Sequence, residues 1–370
     1  MTHPKPILYE GQGQTNKELT PYEVLVDTMK PQHYLASPGL KHAVNVALTL
    51  GQPLLVTGEP GTGKTQLASS IAYEFSHLPD REIPLFKFHV KSTSVAQDLF
   101  YQYDAIRRFQ DSHDTNKTID PKKYIDFKAL GLAILLTLPP EKANEYLPQQ
   151  YHKYQKDGRP TRSVILLDEI DKAPRDLPND ILVEIENMAF SVKEIEREDP
   201  FEADKTYRPI VVITSNSEKN LPDAFLRRCV YYHIPFPDPE SLKRMIKSRF
   251  QDYPEMKTLL TDDFIDAVNA HFKDIRTRLD LKKPPATAEL LAWFSIILCI
   301  DLNLGPLLNA LSNSEEDIKS FGEQFKATYS VLAKSQSDLD RVGKFFEDNI
   351  KAKGPVYQII TMLDQRLKQG

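Results

Sequence analysis

Leu54-Leu55-Val56-Thr57-Gly58-Glu59-Pro60-Gly61-Thr62-Gly63-Lys64-Thr65-Gln66 is the stretch on which the reading of this chain turns. Leu54 to Val56 is an uninterrupted apolar run, which predicts a short buried strand. From Gln66 to Phe75 the apolar residues return at helical spacing. Between them Gly58, Glu59, Pro60, Gly61, Thr62, Gly63, Lys64 and Thr65 meet every fixed position of G-x-x-x-x-G-K-[ST]. Small residues let the backbone wrap a phosphate with its N–H groups, and the next helix adds the positive end of its dipole. Lys64 is then expected to reach the β- and γ-phosphates of a nucleotide, with the Thr65 hydroxyl on Mg²⁺. The pattern predicts binding; it chooses neither ATP over GTP nor hydrolysis over retention.

Working outward, Leu40 to Leu50 reads as a helix that starts near Pro38 and stops at Gly51. Leu85 to Val90, Val164 to Leu167, Ile210 to Thr214 and Val230 to Ile234 read as four further strands. Helices are expected at Val95 to Phe109, Tyr124 to Leu138 and Asp176 to Met188. Strands that are continuous apolar runs alternating with helices predict an α/β fold with a parallel sheet covered on both faces. After Pro235, Pro237 and Pro239 no strand-like run follows. Helices are expected at Pro239 to Phe250, Thr261 to Phe272, Thr287 to Ile300, Glu315 to Leu332, Leu339 to Ile350 and Val356 to Leu367. Three parts are therefore expected: an N-terminal arm over 1–30, a nucleotide-binding core over 31–236, and an all-α region over 237–370.

Residues able to do chemistry lie at the ends of the predicted strands. Asp168 and Glu169 follow Val164 to Leu167. A carboxylate at the end of a buried strand beside the glycine-rich loop can hold the Mg²⁺ shell, and a second can orient or deprotonate the attacking water. Asn216 ends the run Ile210 to Ser215, where it either shares that task or simply turns the chain. Pro222 to Arg228 reads as a short helix that ends in Arg227 and Arg228. Their forked guanidinium groups suit a phosphate, including one on a neighbouring subunit. Two cations at a helix C-terminus are the plainer alternative. Spacing does not choose between the two arginines.

Walker A at Gly58 to Thr65, Walker B at Asp168-Glu169, then Asn216 and Arg227-Arg228, occur in an order that resembles the AAA+ ATPases. YLASPGLKHAVNVALTLGQPLLVTGEPGTGKT, LLDEIDKAP and PIVVITSNSEKNLPDAFLRRCVYYHIPFPDPE narrow the resemblance to the MoxR-like branch. The resemblance spans about residues 31 to 335 and implies an αβα P-loop NTPase core of strand order 5-1-4-3-2, with a helical lid. It also implies a ring, often a hexamer, that carries nucleotide between subunits. By position Asn216 matches sensor 1, Arg228 is the better match to the arginine finger, and Arg227 is second. A helical insertion is implied near 95–109 and a pre-sensor hairpin within Phe190 to Arg208. The insertion is required on spacing too: 103 positions separate Thr65 from Asp168, where a strand-helix-strand unit takes about thirty. One departure is plain. Where the lid of such proteins often carries a sensor 2 arginine, this chain has Lys283-Pro284-Pro285-Ala286-Thr287. Arg278, Lys282 or Lys283 would have to substitute.

The function implied is an ATPase that remodels a protein client or assists complex assembly, often with a partner bearing a von Willebrand factor A domain. The alternatives are a nucleic-acid motor or clamp-loader-like ATPase, and a slow nucleotide-dependent assembly switch. Lys and Arg number 47 against 52 Asp and Glu, a net charge of −5. That balance weighs against a dedicated nucleic-acid binder. Cys229 and Cys299 are far apart and form neither a disulfide framework nor a zinc signature, which predicts a reducing, cytoplasmic setting. Met1 to Gly11 has no apolar signal-peptide core, and Leu130 to Leu138 and Leu290 to Ile300 are too short to span a bilayer.

Overall fold

A computed structural model describes residues 30–76, 82–113, 120–155, 158–195, 197, 199–217, 221–252, 260–299 and 325–367. The expected arm lies outside the described residues except for Lys30, as does most of the expected helix Glu315 to Leu332. The described residues divide into two compact units: 36–235, and 236–367 together with 30–35.

The first unit is built on five strands: β1 (Leu54–Gly58), β2 (Leu85–His89), β3 (Val164–Asp168), β4 (Ile210–Ser215) and β5 (Val230–Ile234). They form one parallel sheet in the spatial order β5-β1-β4-β3-β2, the expected order when these five are counted alone. Every residue of β1 and β3 is buried. That explains why these segments read as unbroken apolar runs, since strands covered on both faces have no solvent side to alternate toward. The helices of this unit include α1 (Pro38–Leu50), α2 (Lys64–Ser76), α3 (Ala105–Ser112), α4 (Ala129–Leu136), α5 (Leu177–Asn187) and the single turn α6 (Asp223–Leu226).

Local chemistry sets the helix ends. Ser37 accepts a hydrogen bond from the Leu40 N–H and Pro38 occupies the first turn, while Gly51 closes α1 at φ 63°. In the second unit Asp238, Thr261 and Ser335 cap α7 (Pro239–Phe250), α8 (Asp262–Arg278) and α10 (Gln336–Lys351) in the same way. With α9 (Thr287–Cys299) and α11 (Pro355–Leu367) they enclose an aromatic core of Trp293, Phe294, Phe325, Tyr329 and Phe346. His271 sits in that core, its Nε2 2.7 Å from the Tyr329 hydroxyl, and burial pushes its pKa down to about 3.

Two expectations need correction. Residues 31–35 were expected in the core but cluster with the helical unit. The turn Pro31–His33 packs on α7: Ser248 donates to the His33 carbonyl at 3.1 Å, and Asp252 pairs with both Lys30 and His33. The insertion is not a continuous helix over 95–109 either. Ala96–Leu99 is a 3-10 turn, Tyr101–Tyr103 is a strand, and only Ala105–Ser112 is α-helical. Tyr101, Gln102 and Tyr103 pair with Phe127, Asp126 and Ile125, so the helix expected from Tyr124 begins only at Ala129. Aromatic residues alternating with polar ones suit a pleated ribbon, and cross-strand pairing overrides the weak helical spacing.

The hairpin Ala189–Phe190 with Phe201–Glu202 lies in the pre-sensor segment. Phe190 stacks on Phe100 of the insertion at 5.0 Å and on Phe201 at 5.1 Å, so aromatic packing joins the two inserts. The fully buried α4 anchors them to the sheet through β2 and β3. At Gly131 an added methyl would lie 2.1 Å from the Phe100 carbonyl oxygen, a backbone atom that also accepts from the Lys128 N–H. Gly131→Ala is therefore expected to destabilise the first unit by about 1–3 kcal/mol or more, seen as a lower urea midpoint. An unchanged midpoint would contradict this close approach.

Candidate nucleotide site

β1 delivers the chain to the loop at Gly58, and α2 carries it away from Lys64. Gly58, Gly61 and Gly63 take φ values of 151°, 80° and 85°. These are conformations that side-chain-bearing residues rarely adopt, and they turn the loop around a concave row of backbone groups. A methyl at Gly58 would also meet the Ile234 carbonyl at 2.8 Å. The Lys64 ammonium lies inside the loop, donating to the Gly58 carbonyl at 2.8 Å and the Glu59 carbonyl at 2.9 Å. Burial lowers its pKa, and the nearby carboxylates Asp171, Asp168, Glu169 and Glu59 oppose that shift. A buried cation that, among the described residues, has carbonyl dipoles at contact distance is the electrostatic complement of a phosphate.

The sheet then brings the second set of residues to the same end. Thr65 Oγ1 donates to Asp168 Oδ1 at 3.0 Å, and Thr214 Oγ1 donates to the same oxygen at 2.6 Å. His89 at the end of β2 places Nδ1 3.2 Å from the other carboxylate oxygen. A hydroxyl and a carboxylate converging on one point are the hard-oxygen donors that suit Mg²⁺.

Glu169 follows at φ 62°, a left-handed conformation uncommon for a residue with a side chain. Its N–H is held by Thr214 Oγ1 at 2.9 Å, which fixes this turn. The Glu169 carboxylate is partly exposed and pairs with Lys172. Asn216 lies just past β4, between the ends of β1 and β3, with an exposed side chain. Its N–H donates to Asp171 Oδ1 at 3.1 Å, and the Ser215 hydroxyl donates to the same oxygen at 3.2 Å.

Residues 53–229 match the family model for the AAA domain (dynein-related subfamily). That match contains Gly58 to Thr65, Asp168, Glu169 and Asn216, and it supports an AAA+ ATPase domain over this segment. No curated protein matches the chain.

The arginine pair at Arg227 and Arg228 is not at this end of the sheet. Val230 pairs with Leu54, and its N–H donates to the Pro53 carbonyl at 2.9 Å, so β5 begins where β1 begins. Arg227 and Arg228 precede that point, whereas the loop follows Gly58 at the far end of β1. The four steps from Leu54 to Gly58 alone span about 13 Å. Arg228 Nε makes an ion pair with Glu186 Oε1 at 3.2 Å; Arg227 is exposed, with no side-chain partner among the described residues. Neither arginine is brought to its own chain's phosphate loop. Of the substitutes for a sensor 2 arginine, Arg278 pairs with Asp274 at 3.0 Å, and Lys282 and Lys283 are exposed.

Sequence reasoning assigned no role to Thr214, Asp171, His89 or Lys172. Thr214 carried a usable signal: it is the first polar residue of an apolar run whose neighbouring strand ends in Asp168. Among the described residues no helix is long and apolar enough to cross a membrane.

Proposed function

We propose that this protein is a ring-forming ATPase of MoxR-like type. It binds ATP with Mg²⁺ at Gly58 to Thr65, hydrolyses it at a subunit interface, and uses the cycle to remodel a protein client or assist assembly of a complex. The observation carrying this reading is the separation of the two halves of the chemistry. Lys64, Thr65, Asp168 and Glu169 gather at one end of the sheet, while Arg227 and Arg228 stand at the other. A single subunit then holds a complete phosphate grip, and its arginines are placed to serve a second subunit.

In this reading the loop amides and Lys64 hold the phosphates in line for attack. Thr65 and Asp168 would hold Mg²⁺, which would neutralise phosphate charge when bound. Glu169 orients the attacking water and takes its proton, and Asn216 serves as sensor 1 beside it. Arg228 of the adjacent subunit stabilises charge developing on the γ-phosphate, with Arg227 the second candidate. A hexamer, a cytoplasmic setting and a partner with a von Willebrand factor A domain follow from the resemblance. A nucleic-acid motor is disfavoured by the net charge of −5.

Lys64→Ala tests the grip. ATP with Mg²⁺ at a hundred times its dissociation constant should stabilise the wild-type protein by about 2.7 kcal/mol. The variant should show no nucleotide-induced rise in thermal midpoint. A normal shift in Lys64→Ala would remove the loop from the account. The client is best sought by pull-down with Glu169→Gln protein in ATP, and recovery of the same proteins without nucleotide would count against ATP-gated client binding.

A further inference from the structure

Three charged groups meet at the end of the sheet away from the phosphate loop. Arg208, just before β4, donates from Nη2 to the Ile185 carbonyl at 2.9 Å and the Glu186 carbonyl at 3.3 Å. Its Nε donates to the Gly51 carbonyl at 3.2 Å. One guanidinium thus closes the C-terminal ends of α5 and α1, where orphan carbonyls carry the negative end of the helix dipole. It pins the last turn of α5, and so the backbone of Glu186. The Glu186 side chain is half exposed and makes an ion pair with Arg228, Nε to Oε1 at 3.2 Å. Among the described residues Glu186 is the one side chain found paired with the Arg228 guanidinium.

Both partners are about half exposed, at 45% and 51% of the side-chain surface. An exposed pair of this kind adds little stability, so its effect is on direction. An arginine is a flexible side chain with a rigid fork at its tip. Approached from its Nε side, it keeps the adjacent end edge, with its two terminal nitrogens, able to act as a two-pronged donor. Arg227, one residue earlier, has no such tether.

Resting on the reading of Arg228 as the residue that acts on the neighbouring subunit's nucleotide, we propose that Glu186 is the positioning residue for that arginine. It aims the free edge of the Arg228 fork across the subunit interface, on a support that Arg208 makes rigid. The tether also selects Arg228 over Arg227.

The test is steady-state ATPase kinetics of the assembled full-length protein with Glu186→Ala, Arg228→Ala and the double variant. Glu186→Ala should lower kcat by about two- to fivefold, the most that losing an exposed ion pair can shift the orientation of Arg228, with the KM for ATP unchanged and the thermal midpoint within about 2 °C of wild type. The double variant should be no slower than Arg228→Ala, because Glu186 acts only through that arginine. Adding Glu169→Gln subunits, whose own Glu186–Arg228 pair is intact, should restore turnover to Glu186→Ala subunits. Glu186→Gln, equal in size, is measured by the same criteria should the alanine variant unfold.

If Arg228→Ala loses turnover but Glu186→Ala keeps or exceeds the wild-type rate, the positioning role is wrong and the arginine assignment stands. Losses that simply add in the double variant also overturn it. If Arg228→Ala turns over normally, both the assignment and the inference built on it fail.

Discussion

Glu169→Gln is expected to bind ATP with unchanged affinity and to lose about 10²–10⁴-fold in turnover. The substitution keeps the side-chain length and leaves the backbone anchor, the Glu169 N–H on Thr214, in place. Asp168, Thr65 and Lys64 form the grip without using the Glu169 carboxylate. What disappears is the acceptor for the water's proton, which an amide cannot replace. A non-glycine residue at φ 62° costs energy that the fold must supply elsewhere. That cost is consistent with a carboxylate aimed beside the phosphate loop rather than one left at a relaxed strand end. Phosphate release read alongside fluorescent-nucleotide binding separates the two effects. Full turnover with full binding would remove Glu169 from the chemistry.

Arg228→Ala is expected to cost about 10³-fold or more in turnover, the scale on which a phosphate-directed arginine acts. ATP binding should persist, because the arginine is separated from its own chain's loop by the length of β1. Arg227→Ala should be milder, since Arg227 shares the location but lacks the Glu186 contact. The surface ion pair lost in Arg228→Ala contributes at most about 1 kcal/mol to stability, so a large activity loss cannot be put down to unfolding. A variant slow only because nucleotide affinity has fallen would contradict this account.

The parts of the fold that the sequence announced are those where burial left no choice. β1 and β3 are covered on both faces, so Leu54 to Val56 and Val164 to Leu167 could only be apolar. The phosphate loop was legible because positive φ at Gly61 and Gly63 admits few other residues. The insertion was read as helical because Tyr101 to Tyr103 and Ile125 to Phe127 are three residues each, too short to display a period. Their pairing is a tertiary fact that spans more than twenty positions.

The network around Asp168 was hidden for a related reason. Thr214 and His89 reach it from β4 and β2, and only the strand order makes them neighbours. The Glu186–Arg228 pair is hidden in the same way, since α5 and the segment after α6 meet only once the sheet is assembled.

Mixing Arg228→Ala subunits with Glu169→Gln subunits and measuring ATP turnover across the ratio tests the shared site most directly. Each variant alone should be nearly inactive. A mixed ring pairs an intact Glu169 site with an intact Arg228 from its neighbour, so activity should rise to a maximum at intermediate ratios. Activity that stays at the level of the separate variants at every ratio would contradict hydrolysis at a subunit interface.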